Sequence, residues 1–275
     1  MANLPPVTRR GVLAGAIALP WLVACGTGTG TDVDVGVEAP ASVDVADGTF
    51  SSRFWPGQSV RWRLARPKPR VGDTASQPLV VALHGQGGDA DWPFDGLHME
   101  RHVASTGLAV ATVDGGSSYW HARRSGIDTG TMVVEEFLPL LRAKGLATDR
   151  IGLIGWSMGG YGALLLATRL GPGRVAGVVA ASSALWLELP SDPWTGAFDD
   201  QGDFARNDVF AKRALLRGIP VRLDCGTADY FIEANRAFAR GLPDATVTFD
   251  DGGHTEDYWI AHAKTQMTWL ADHLR

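Results

Sequence analysis

A serine hydroxyl is a weak nucleophile until a base takes its proton. The segment Gly155-Trp156-Ser157-Met158-Gly159-Gly160 presents a serine where that activation is feasible. An apolar run, Ile151 to Ile154, precedes it, and a helical pattern from Met158 to Leu170 follows. A strand, a sharp turn and a helix are the setting a Gly-x-Ser-x-Gly elbow requires. Small residues two positions either side of the serine relieve crowding in that turn. Ser157 then projects its hydroxyl above the sheet edge, and the helix N-terminus behind it favours developing negative charge.

The base must come from seven histidines. His254 lies in Asp251-Gly252-Gly253-His254-Thr255, between the last strand signal and the last helix signal. A loop there reaches the same sheet edge as Ser157. His262 and His273 fall inside the final helical pattern, and His98 and His102 precede the nucleophile. This architecture carries its triad in the order serine, acid, histidine, so the base is a late one. The acid lies between them. Asp229, in Cys225-Gly226-Thr227-Ala228-Asp229, follows a strand signal and is the first choice. Asp224 is the reserve, with Asp250 and Asp251 as rivals beside the histidine. Acyl transfer also needs donors for the tetrahedral oxyanion. Met158 N–H comes with the elbow. The second donor is read as Gln86 N–H, or Gly87 N–H, in His84-Gly85-Gln86-Gly87-Gly88. His84 is read as a structural hydrogen-bonding residue.

These side chains need a scaffold that brings distant segments to one rim. Ser59 to Leu64 alternates apolar and polar residues, as a half-exposed strand does. Leu79–Leu83, Leu108–Val113, Ile151–Ile154 and Val175–Ala181 are continuous apolar runs, the pattern of strands covered on both faces. Ile219–Leu223 and Thr246–Phe249 complete the strand signals. Helical patterns cover Met99–Thr106, Met132–Lys144, Met158–Leu170, Asp208–Arg217, Phe231–Arg240 and Glu256–Leu274. Strands alternating with helices predict a mostly parallel α/β sheet with helices on both faces. An irregular insert at 185–205 is placed near the site.

The N-terminal region reads differently. Arg9 and Arg10 precede an apolar run from Val12 to Ala24, which fits a signal sequence and is too short for a stable anchor. The arginine pair resembles a twin-arginine export signal. Leu22-Val23-Ala24-Cys25 resembles a bacterial lipobox, with Cys25 as the lipidated residue. Residues 1–24 are therefore expected as a signal peptide and 25–48 as a flexible tether, leaving 49–275 as the domain. The expected location is the outer face of the cell membrane, through a lipid anchor. Charge excludes one class of partner. With 25 basic and 30 acidic residues the chain carries −5, and no Lys/Arg cluster offers nucleic acid a basic face. No His/Cys/Asp cluster has metal-ligand spacing, and the chemistry above calls for no cofactor.

Leu83-His84-Gly85, the elbow continued through Tyr161-Gly162-Ala163-Leu164, Gly226-Thr227-Ala228-Asp229 and Gly253-His254-Thr255-Glu256-Asp257-Tyr258-Trp259 together resemble the α/β-hydrolases. More narrowly they are similar to the esterase D branch, which includes S-formylglutathione hydrolases, feruloyl-type esterases and mycolyltransferases. The resemblance implies an α/β-hydrolase fold, a Ser157–Asp229–His254 triad and an oxyanion hole near Gln86 and Met158. It also implies an active-site wall at Asp114 to His121. The leader argues against a cytosolic formylglutathione substrate.

The expected activity is hydrolysis of carboxylic esters through an acyl-serine. The alternatives are acyl transfer onto envelope glycolipids, and a non-catalytic binding lipoprotein on the same fold. The chain has ten tryptophans. Trp92, Trp120, Trp156, Trp186, Trp194 and Trp259 fall in or near loops on the expected site side. Of these, Trp120, Trp156 and Trp259, with His121, are the expected substrate contacts. Arg123 and Arg124 are weighed as partners of an anionic substrate group, against a plain solvated loop.

Overall fold

The computed structural model describes residues 42–68, 75–190 and 196–275. Among the described residues, eight strands form one sheet. They are β1 (Val43–Ser51), β2 (Ser59–Pro67), β3 (Gln77–Leu83), β4 (Ala109–Val113), β5 (Leu146–Trp156), β6 (Val175–Ala181), β7 (Val221–Gly226) and β8 (Thr246–Asp250). The helices are α1 (Trp92–Asp95), α2 (Val103–Thr106), α3 (Thr129–Met132), α4 (Leu138–Ala143), α5 (Met158–Leu170), α6 (Gln201–Asn207), α7 (Val209–Lys212), α8 (Ile232–Ala239) and α9 (Glu256–Leu274).

The strand order is β1-β2-β4-β3-β5-β6-β7-β8. β1–β2 and β2–β4 are antiparallel. Every other pairing is parallel. This is the mostly parallel α/β sheet that the sequence pattern predicts. Alternation within the strands explains its two helical layers. Leu79, Val81 and Leu83 of β3 join one apolar cluster with Leu164 and Leu165 of α5. Val80 and Ala82 join the opposite cluster with Phe94, Met267 and Leu270. A strand buried on both faces has no polar positions, which is why these runs read as unbroken apolar sequence.

Several boundaries differ from the sequence reading, among them the tether and one long helical pattern. The tether expected over 25–48 ends earlier, because residues 43–48 belong to β1, which pairs with β2 along its whole length. As an edge strand of Val, Ala, Asp and Gly, β1 lacks the bulky alternation that marks its neighbours. The helical pattern Met132–Lys144 is also not one regular helix. It is α3, a π-helical turn at Val133–Phe137, and α4. The signal segment, Cys25 and Trp194 lie outside the described residues.

The consequence for chemistry is geometric. The loops after β3, β4, β5, β7 and β8 all leave the C-terminal ends of their strands, and all converge on one rim. Open α/β sheets bind ligands at this edge.

Candidate active site

Ser157 sits between β5 and α5 with φ 55° and ψ −119°, a conformation that L-residues rarely adopt. Three glycines make it possible. A Cβ on Gly155 would lie 2.1 Å from Gly159 O, and one on Gly159 would lie 1.9 Å from Leu83 O. At Gly160 it would meet Ser183 Oγ at 2.4 Å. The elbow is pinned from outside as well, since Ser157 N–H donates to Ala181 O at 3.0 Å and Ser157 O accepts from Ala184 N–H at 3.0 Å. The strain is held in place by the neighbouring strand end.

His254 Nε2 lies 2.9 Å from Ser157 Oγ, and His254 Nδ1 lies 2.8 Å from Asp229 Oδ2. The structure therefore brings the three sequence-predicted residues together in the order a base-activated serine needs. Backbone contacts fix their loops to each other. Thr227 N–H donates to Asp250 O at 2.7 Å, and Ala228 N–H donates to Gly252 O at 2.8 Å. The close approach requires Gly226, where a Cβ would fall 2.2 Å from Gly252 O. Asp229 is buried, and burial alone would raise its pKa; hydrogen bonds from His254 and from Phe231 N–H outweigh that and hold the carboxyl below its usual range. Asp229 is thus an anion facing Nδ1, so Nδ1 carries a proton and Nε2 is left to accept one from Ser157.

Two of the three rival acids, Asp224 and Asp250, are occupied elsewhere, and Asp251 is exposed. Asp224 Oδ2 accepts from Arg222 Nε and from Gln266 Nε2, each at 2.8 Å. Asp250 accepts from Tyr258 Oη at 2.7 Å and meets His262 Nε2 at 3.1 Å.

The oxyanion side is built by the loop after β3. A Cβ built on Gly85 would be in van der Waals contact with Ser157 Cβ at 3.5 Å, so the Gly85–Gln86 backbone runs beside the nucleophile. Met158 opens α5, where N–H groups have no intrahelical partner. His84 braces this loop. Gly115 N–H donates to His84 Nε2 at 2.9 Å, so Nδ1 carries the proton and donates to Gly85 O at 2.7 Å. Burial lowers the His84 pKa, in keeping with that neutral tautomer.

Gly85–Gly88, Trp92, Ser117, Ser157, Tyr230, His254, Glu256 and Trp259 line an open cleft of about 690 Å³. Of the four expected substrate contacts, Trp259 is on this wall and three are not. Trp120 and Trp156 are fully buried in the two opposite apolar clusters. Trp156 is covered edge-on by Trp92, at 5.8 Å between ring centroids. His121 is also fully buried; its ring nitrogens lie 3.0 Å from Ala122 O and Ala197 O, and it stacks on Phe198. It anchors the 185–205 insert rather than a ligand.

Arg123 and Arg124 do the same work. Arg123 donates to Gly196 O at 2.8 Å and Asp199 Oδ1 at 2.8 Å, and Arg124 pairs with Asp200. Within Asp114 to His121, only Ser117 reaches the cleft. Sequence reading passed over Tyr230 and Glu256. Each sits within two positions of a triad residue, and that adjacency was the available signal.

A family model described as "Putative esterase" matches residues 57–267. "Putative esterase NocK" of Nocardia uniformis subsp. tsuyamanensis is 30% identical over 167 residues, covering 54% of this chain and 44% of that protein. The match thus spans somewhat under half of that relative's length. Among solved structures, the fluorophosphonate-binding serine hydrolase FphF of Staphylococcus aureus superposes with a TM-score of 0.74 at 18% identity, covering 83% of this chain and 98% of that one. A ferulic acid esterase gives 0.73 at 21% identity, covering 84% and 99%. An S-formylglutathione hydrolase from Agrobacterium tumefaciens gives 0.73 at 19% identity, covering 85% and 96%. At these identities the likeness is one of fold.

Proposed function

The chain belongs to the esterase family, and from that premise we propose that it is a serine hydrolase of carboxylic esters. The observation that carries the reading is the continuous relay of 2.9 Å and 2.8 Å contacts from Ser157 through His254 to Asp229. In the first half-reaction Ser157 Oγ bonds to the ester carbonyl carbon while His254 Nε2 takes its proton. Backbone N–H groups at Gln86 and Met158 hold the oxyanion. The carbon–oxygen bond to the alcohol then breaks, and the alcohol leaves with the proton from His254. Water repeats the sequence on the acyl-serine, releasing the acid and the free enzyme. Asp229 orients the imidazole and stabilises its charged form. A fluorophosphonate probe should label one residue, which peptide mass spectrometry identifies as Ser157; an unlabelled Ser157 in folded protein overturns the proposal. Product analysis separates hydrolysis from transfer: free acid is expected even when a sugar acceptor is supplied, whereas a new ester would make the protein an acyltransferase.

We also propose that the chain is exported and held at the membrane face through lipidated Cys25. The arginine pair, the apolar run and Leu22-Val23-Ala24-Cys25 support this. Cys25→Ser should move the protein from the membrane fraction to the soluble fraction. Equal membrane recovery of both forms would remove the lipid-anchor reading.

A further inference from the structure

Tyr230, Phe231 and Trp259 pack on the catalytic imidazole, and Trp92 and Glu256 continue the wall of the cleft beside them. Trp92 and Trp259 meet edge-to-face at 80°, with centroids 5.6 Å apart, and both line the cleft, Trp259 with only 6% of its surface exposed. Tyr230 is 72% exposed and lies over His254 at 4.4 Å between centroids. Trp259 meets the same imidazole edge-on at 5.1 Å. The Trp92 indole N–H donates to Glu256 Oε1 at 2.7 Å, which holds that carboxylate against the aromatic wall. No lysine or arginine is among the described residues that line the cleft.

Position relative to the reaction decides which half of the ester meets this wall. His254 must deliver a proton to the departing alcohol oxygen, so the alcohol lies on the imidazole side. The carbonyl oxygen lies on the opposite side, at Gly85–Gln86. The rings that touch the imidazole therefore flank the alcohol. Aromatic faces and a nearby carboxylate both attract an ammonium group, the faces through the ring quadrupole and the carboxylate through its charge. Neutral alcohols, sugars included, would use the rings and could donate a hydrogen bond to Glu256, but would lack the charge attraction that an ammonium adds.

We propose that the preferred ester carries a positively charged ammonium group on its alcohol, received by Trp92, Tyr230, Trp259 and Glu256. This rests on the serine-esterase reading above.

The test compares acetylcholine with 3,3-dimethylbutyl acetate, the same shape with carbon in place of the charged nitrogen. The wild type should favour the charged ester by roughly tenfold in kcat/KM, carried by KM, which is the size of one cation–π contact assisted by a screened carboxylate. The preference should shrink in 0.5 M NaCl, because Glu256 is exposed to solvent. Glu256→Gln should remove most of the salt-sensitive part. Equal kcat/KM for the two esters, or a preference unchanged by both salt and Glu256→Gln, overturns the proposal. p-Nitrophenyl acetate is run alongside. If it is hydrolysed while the two test esters are equal, only the ammonium preference fails. If folded protein turns over none of the three and Ser157 resists the fluorophosphonate, the esterase reading fails and the ammonium preference with it.

Discussion

Ser157→Ala should lower kcat for any carboxylic ester by roughly 10⁵- to 10⁶-fold while leaving the thermal unfolding midpoint near that of the wild type. The loss is large because the hydroxyl is the atom that bonds to substrate, and nothing else in the cleft replaces it. The fold survives because the elbow is held by backbone. Gly155, Gly159 and Gly160 clear the space, and the bonds to Ala181 and Ala184 run through the Ser157 amide and carbonyl. Asp229→Asn should cost about 10⁴-fold, since an amide in place of the carboxylate can donate toward Nδ1 and favour the tautomer that cannot accept from serine. The double variant should be no worse than Ser157→Ala, because the residues act as one unit. Steady-state kinetics on p-nitrophenyl acetate, with circular dichroism as the folding control, reads all three. A Ser157→Ala protein with more than a hundredth of wild-type kcat would show that the relay is not the engine of the reaction.

The elbow and the late histidine were legible in sequence for a physical reason. A strained turn admits few residues, so Gly155, Ser157 and Gly159 leave a pattern even in isolation. The choice of Asp229 over Asp224 was legible only as a preference. Asp224 lies within β7 and Asp229 beyond its end, and what separates them is that Arg222 on the same strand and Gln266 from α9 take up Asp224. Sequence spacing does not encode that. The aromatic wall was the least legible part. Trp92 and Trp120 both read as loop tryptophans near a glycine-rich stretch. One lines the cleft and the other lies at the centre of the core, and the difference is set by packing across the sheet. Likewise Arg123 and His121 have the chemistry of substrate-binding side chains. Their partners Asp199 and Ala197 lie more than 70 positions away in the chain, as the bonds from Arg123 and His121 span 76 residues each.

Trp120→Ala should therefore act on stability rather than on substrate affinity, destabilising the fold by about 3–5 kcal/mol. The indole is wedged between two backbones that have given up their side chains for it. A Cβ on Gly115 would lie 2.4 Å from Trp120 Cη2, and one on Gly162 would lie 2.3 Å from Cδ1. His84 packs edge-on against the ring at 5.1 Å. Alanine would leave a cavity that glycine walls cannot fill. The midpoint of thermal unfolding should fall on the order of 10 °C. Trp120→Phe is the discriminating partner. The indole N–H has no acceptor in the buried site, so its removal costs no hydrogen bond, and phenylalanine keeps most of the contact area. Its destabilisation should be smaller than that of alanine, with KM for p-nitrophenyl acetate equal to the wild-type value. A raised KM in well-folded Trp120→Phe, with an unchanged midpoint, would instead mean that the ring meets substrate. The same substitutions at Trp259, which lines the cleft and packs on His254 while sitting in the opposite apolar cluster, should raise KM as well as lower the midpoint.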